Sequence, residues 1–344
     1  MAQPPPHPHI YPPALPPPLP TFLYSSAAPI QPRPALTPTS ILHFLTDVPT
    51  SLIPTHQIVP TNSYESSYNA LWPQHAPPLI VYNSNWLDFY LRDRMADWAA
   101  RVPVNNAPWA RAEPALRCGN EADVTDELKK DFLPRVRRAL RAIIPNPKFY
   151  GYTGYPLHLH PVDFMVDRCQ HGYLVRHWED VVAGTNNPPV PDLLGFDVHG
   201  QDQNYPPNAN RMPGEIKPSW KFGPGRDLTR DYMKNWMPLL QIHYYMLQRN
   251  ARFGFILTDR ELYCLCREHH PSPAHPDALP NGTLCVSPAI TLSQSLAPNR
   301  AGPNAPAPMT PSDLFAALFP PNGQTQITAP LALFVLSVLA SSDL

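Results

Sequence analysis

Hydrophobic positions along this chain recur at helical spacing, then at strand spacing, then at helical spacing again. From Asn85 to Arg101 the run NWLDFYLRDRMADWAAR sets Trp86, Phe89, Tyr90 and Trp98 among charges, which predicts a helix with a broad aromatic face. From Glu121 to Ile143, Val124, Leu128, Phe132, Val136, Leu140 and Ile143 recur at three- and four-residue steps on one side. Pro134 either kinks that helix or begins a second one. Between Tyr150 and Asp192 the texture turns to aromatic and β-branched residues, with DFMVDR and HGYLVRHW as short strands. PDLLGFDVHG and GEIKPSW read as two strands joined by the loop QDQNYPPNANR. The run DLTRDYMKNWMPLLQIHYYMLQRN is helical despite Pro238, and ARFGFILTDRELYCLCRE is a β-hairpin turning at Thr258 to Arg260. LCVSPAITL at 284–292 is strand-like, while SDLFAALF and the run PLALFVLSVLA supply two late helices. This order predicts an α/β or α+β fold, a central mixed sheet flanked by helices.

Composition then divides the chain. Its 344 residues include 50 prolines, crowded into stretches that exclude element interiors. Residues 1–60 are rich in Pro, Ser and Thr and read as a mostly disordered, proline-rich segment, with ILHFLTDV at 41–48 as a short piece able to dock on the domain. Residues 61–344 read as one domain with a core at 121–267, a loop-rich section at 269–311 and C-terminal helices. ALPPPLP has the polyproline II composition that SH3- or WW-type aromatic grooves take.

The formal net charge of −1 gives no global pull toward nucleic acid, so contact with it requires a local basic face. Lys129, Lys130, Arg135, Arg137, Arg138 and Arg141 form the densest basic region, either a solvated helix face or a phosphate contact. The five cysteines show no metal or disulfide spacing and read as reduced, structural thiols. No secretory signal is apparent, and PLALFVLSVLA is apolar for about a dozen residues, short of the roughly 20 that a span needs. The expectation is a nuclear or cytoplasmic protein with no membrane partner. The histidine pairs at 158–160 and 269–270 lack further ligands at zinc spacing.

The candidate chemistry lies in the middle strands. Hydrolysis of a phosphodiester with a hard divalent ion needs carboxylates converging on the metal and a positive group near the reacting oxygens. On a strand, residues two apart share a face, so Glu215 and Lys217 project together while Ile216 faces the core. Asp192 opens the preceding strand, where pairing would let it share an ion with Glu215. The tripeptide pattern alone carries nothing, because Glu127-Leu128-Lys129 repeats it on a helix.

Pro191-Asp192 followed by Glu215-Ile216-Lys217 resembles the PD-(D/E)XK nuclease superfamily. Gln241 and Tyr245 in LLQIHYYML match the QxxxY element that exonuclease-like branches carry on a helix after the core strands. The succession also resembles uncharacterised fungal PD-(D/E)XK nuclease-like proteins, with Arg252, Gly254 and Glu261 of RFGFILTDRE at matching places. The resemblance covers about 121–267 and implies a restriction-endonuclease-like core. It further implies Mg²⁺ or Mn²⁺ as cofactor, DNA as partner, and Asp192 and Glu215 as metal ligands. An acid from an early helix would complete the site, Glu121 by choice and Glu127 as the alternative. Lys217, with Gln241 and Tyr245, would complete the catalytic set. The expected function is a metal-dependent DNA phosphodiesterase; the alternatives are a nuclease-like scaffold that binds without cleaving and an interaction protein working through its proline-rich arm.

Overall fold

A computed structural model describes residues 38–48, 71–105, 118–130, 132–143, 162–165, 193–197, 210–223, 232–248, 251–268, 282–296, 309–321, 323 and 325–341. The proline-rich segment up to residue 37, HGYLVRHW and the histidine pairs at 158–160 and 269–270 lie outside the described residues. The described chain begins with β1 (Pro38–Ser40), α1 (Ile41–Thr46), α2 (Leu71–Gln74) and β2 (Ile80–Val81). Next, α3 (Trp86–Tyr90) continues through a π turn at Leu91–Met95 into α4 (Ala96–Arg101), and β3 (Pro103–Asn105) follows. The centre comprises α5 (Glu121–Lys130), α6 (Phe132–Ile143), β4 (Val162–Met165), β5 (Leu193–Asp197), β6 (Asn210–Ile216) and α7 (Tyr232–Gln248). After these come β7 (Phe253–Leu257), β8 (Glu261–Arg267), β9 (Leu284–Val286), β10 (Ile290–Thr291), α8 (Pro311–Leu318) and α9 (Ala329–Ser341).

The principal sheet has the order β2-β9-β8-β7-β6-β5-β4, with β10 also paired to β8. β4, β5 and β6 form an antiparallel meander; α7 then crosses over so that β7 runs parallel to β6. β8 returns antiparallel as the second arm of the hairpin expected at 251–268. The two-residue period of a strand explains the layers. Phe253, Phe255 and Leu257 of β7 enter one apolar cluster with α1, α5, α6 and α9, whereas Ile256 enters a second cluster with α7. The sheet is therefore covered by helices on both faces.

The long helical pattern from Glu121 breaks into α5 and α6 just ahead of Pro134, which sits in the first turn of α6 where its missing N–H costs no hydrogen bond. Val124, Leu128, Phe132, Val136 and Leu140 are all buried, as their spacing requires. Of the aromatic face expected of the 85–101 helix, Trp86 is buried and Tyr90 packs half-buried against the core, whereas Phe89 is exposed; Leu87, Leu91 and Met95 are buried as well, and the side chain of Trp98 lies outside the described residues. Four-residue steps from Leu87 through Leu91 to Met95 set that buried stripe, and Phe89 falls off it.

ILHFLTDV does dock. Ile41, Leu42, Phe44 and Leu45 are buried, the Thr328 hydroxyl ahead of α9 donates to the Leu45 carbonyl at 2.7 Å, and the Leu296 amide donates to the Thr46 carbonyl at 3.1 Å. α9 is a core helix, with Leu331, Leu333, Phe334, Val335 and Leu336 fully enclosed. Among the described residues no helix is long and apolar enough to cross a membrane. Cys118, Cys264, Cys266 and Cys285 are free and buried, and burial pushes the Cys266 thiol up to about 12.

Candidate functional site

β6 presents the two residues at the heart of the site. Ile216 is fully buried in the cluster beneath α6 and α9, so strand alternation turns Glu215 and Lys217 together to the opposite face. Their side chains are 2% and 7% exposed, and the Lys217 ammonium donates to Glu215 Oε1 at 2.6 Å. Pro218 follows and ends the strand; the Lys217 amide makes the last ladder bond, to the Leu257 carbonyl at 2.9 Å.

Gly214 sets how closely β6 and β7 approach. A Cβ there would sit 2.2 Å from the Phe255 ring, so glycine is required one residue before Glu215. Gly254 serves α7 in the same way, because a Cβ would meet Met246 Sδ at 3.0 Å. The close packing of α7 on β7 places Gln241 and Tyr245, four residues apart on one helical face, over Glu215. Gln241 Nε2 donates to Glu215 Oε1 at 2.6 Å and to the Tyr245 hydroxyl at 2.9 Å. One oxygen of Glu215 thus takes an ammonium and an amide donor.

The third element is the start of α5. Asn120 Oδ1 accepts from the Asp123 amide at 3.0 Å, while Asp123 Oδ2 accepts from the Gly119 amide at 2.8 Å and the Asn120 amide at 3.3 Å. This reciprocal cap fixes the first turn and Glu121 with it. Glu121 Oε1 accepts from the Lys217 ammonium at 3.1 Å, and its side chain is 31% exposed. Glu127, the alternative acid, pairs with Lys130 instead.

Five residues singled out by sequence therefore meet: Glu121, Glu215, Lys217, Gln241 and Tyr245. The sixth, Asp192, lies outside the described residues; the residue after it, Leu193, pairs with Gly214, the residue before Glu215. The β5–β6 register shifts between Gly195 and Phe196. Among the described residues no group of three acidic, histidine or cysteine side chains forms a metal cluster, a set that leaves Asp192 out.

Two site residues escaped the sequence reading. Lys221, in the turn after Pro218, approaches Glu121 Oε2 at 3.6 Å. Asp259, fully enclosed in the hairpin turn, accepts from the Ser219 amide at 2.5 Å and the Ser219 hydroxyl at 2.8 Å. Lys221 stood in plain view in KPSWK, four residues past Lys217, but nothing local distinguishes it from a solvated lysine.

No family model, curated protein or solved structure matches this chain. The chemistry must be argued from the geometry.

One member of the basic region is structural. Arg135 is buried, donates from Nε to the Phe44 carbonyl at 2.9 Å and from Nη2 to the Asp47 carbonyl at 3.1 Å, and lies over the Phe44 ring at 3.9 Å. It holds the end of α1, where cations are favoured, and is withdrawn from any phosphate.

Proposed function

We propose that this protein is a metal-dependent phosphodiesterase acting on DNA, built on a PD-(D/E)XK-like core. The observation that carries the reading is Lys217, whose ammonium is held between a carboxylate on a sheet strand and a second carboxylate at a helix start. An acid and a lysine on one strand face, an acid from an early helix and a Gln–Tyr pair from the crossover helix make up the set that the superfamily resemblance implies. The order of elements agrees with it: helices, an antiparallel three-strand meander, a helix, then a strand parallel to the third.

The donor set suits a hard divalent ion, since Glu215 and Glu121 offer carboxylate oxygens at a place that already holds a cation. Glu215 and Glu121, with Asp192, would hold Mg²⁺ or Mn²⁺, which when bound supplies polarisation of a phosphoryl oxygen and a more acidic water. Lys217 then acts in two ways. It orients the attacking water, and its fixed positive charge stabilises the developing negative charge on phosphate. Gln241 holds Glu215 Oε1 in place, and Tyr245 holds Gln241. Both are enclosed, so these hydrogen bonds act in a medium where they are strong.

A nuclease-like scaffold that binds without cleaving is the second reading. Its specific support is the enclosure of Glu215 in a tight pair with Lys217, a geometry that structural ion pairs also adopt. Cleavage of single- and double-stranded DNA with Mg²⁺ or Mn²⁺ separates the two. The nuclease reading expects cutting by the wild type and a fall of about 10²–10³ in rate for Lys217→Ala. Absence of cutting by a folded wild type that binds DNA favours the scaffold.

A further inference from the structure

The chain leaving β6 carries two lysines, Lys217 directly after the strand and Lys221 four residues on. Pro218 cannot extend the ladder, and its carbonyl accepts from the Lys221 amide at 2.8 Å and the Phe222 amide at 3.2 Å, so the chain folds back at once. Trp220 and Phe222, on either side of Lys221, are buried, the Phe222 ring meeting Tyr263 edge-on at 4.9 Å. From the hairpin below, the enclosed Asp259 carboxylate grips both the amide and the hydroxyl of Ser219. Thr258 Oγ1 fixes that hairpin in turn, accepting from the Arg260 amide at 3.1 Å and the Glu261 amide at 2.8 Å. A lysine held between two buried aromatic anchors on a clamped turn has lost much of its freedom before any ligand arrives.

Glu121 is the counter-ion of both lysines, through Oε1 to Lys217 and Oε2 to Lys221. The two contacts differ. Lys217 also donates to Glu215 and is nearly enclosed, whereas Lys221 is 17% exposed and stands 3.6 Å from its acid, beyond hydrogen-bond length. A divalent ion that draws Glu121 and Glu215 to itself releases both lysines, and Lys221 is the more exposed of the two.

Resting on the nuclease reading, we propose that Lys221 contacts a phosphate of the DNA strand next to the one that reacts, and that Asp259 is the residue that positions it. Lys221 supplies the second cation of the site, near its opening, and a phosphate there gains a charge-assisted bond from a pre-placed donor.

The test is binding of a fluorescently labelled single-stranded DNA to the full chain with Ca²⁺ present as a hard divalent ion for the carboxylates, followed by anisotropy between about 50 and 200 mM salt. Lys221→Ala is expected to weaken binding and to lower the slope of log affinity against log salt by about 0.7, the loss of one single-strand phosphate contact. Lys221→Arg should restore the slope. Asp259→Ala should lower it as Lys221→Ala does, with Asp259→Asn giving partial recovery. If Asp259→Ala fails to fold, the two Lys221 variants still decide. A lysine that merely pairs with Glu121 would move the melting temperature and leave the salt slope unchanged. Wild-type binding with an unaltered slope in Lys221→Ala overturns the inference and leaves the nuclease reading standing. Failure of the wild type to bind DNA at any salt removes that reading and this inference with it.

Discussion

Lys217 and Glu121 stand 96 positions apart in the chain and 3.1 Å apart in space. The contact makes the buried pair on β6 asymmetric. Lys217 pairs with both Glu121 and Glu215, and removing Lys217 takes from the enclosed Glu215 the ammonium held at 2.6 Å.

Stability should report that asymmetry. Lys217→Met breaks the 2.6 Å pair with the enclosed Glu215 and should cost about 3–5 kcal/mol, the usual penalty for breaking a buried pair from one side. Glu215→Gln should cost less, because Lys217 retains Glu121. The double variant Glu215→Gln/Lys217→Met should recover much of the loss. Urea unfolding of the three variants measures this, and equal losses for the two single variants would count against the shared-partner geometry.

Glu121 and Glu127 share a helix but not a site. Glu121→Gln should lower metal-dependent cleavage about 10–100-fold, the range for groups supporting a metal site. Glu127→Gln, which breaks the pair with the exposed Lys130, should leave cleavage near wild type. Equal rates in the two variants would remove Glu121 from the site.

Much of this site was legible because its signals are local. A two-residue period fixed the shared face of Glu215 and Lys217, a four-residue step fixed that of Gln241 and Tyr245, and a helix start marked Glu121. Asp259 gave no such signal. Its sequence context, TDRE, reads only as a hairpin turn, and its partner Ser219 is 40 positions away. Arg135 was misleading for the converse reason: it stands near the exposed Arg138 on α6, and the docking of α1 draws it inside. On α3 the aromatic spacing found the buried Trp86 but wrongly included the exposed Phe89, because counting rings overlooked Leu87 and Leu91, which share the buried positions.

His243 predicts an acid-side loss of stability. Burial drives its pKa down to about 4 from an ordinary 6.5, although its Nδ1 lies 2.9 Å from the His75 carbonyl. With the folded value below the unfolded one, the unfolded chain binds the extra proton first. Stability is therefore full above pH about 6.5 and falls by about 1.4 kcal/mol per unit as pH drops toward 4. Melting temperature measured across that window should decline less steeply for His243→Gln. Parallel curves for the two proteins would contradict this assignment.

The two ends of the chain should respond oppositely to truncation. The compact unit containing the site begins at Thr37, so deleting residues 1–36 should leave the melting temperature unchanged. Deleting 330–344 removes all but the first residue of α9 and with it the enclosed Leu331, Leu333, Phe334, Val335 and Leu336, each worth about 1.5–3 kcal/mol, a sum that approaches the whole stability of a domain. Loss of the cooperative melt is expected. A shortened protein that remained monomeric and equally stable would show that α9 is not part of the core.

The central claim is that Glu215 belongs to a divalent-metal site served by Lys217. Calorimetric titration of Mg²⁺ or Mn²⁺ into the wild type, Glu215→Gln and Lys217→Ala tests it before any substrate is known. Binding heat should appear for the wild type, vanish for Glu215→Gln, and persist or strengthen for Lys217→Ala, since an ammonium beside the acids opposes the ion and is not a ligand. No binding by the wild type, or equal binding by Glu215→Gln, would contradict the account.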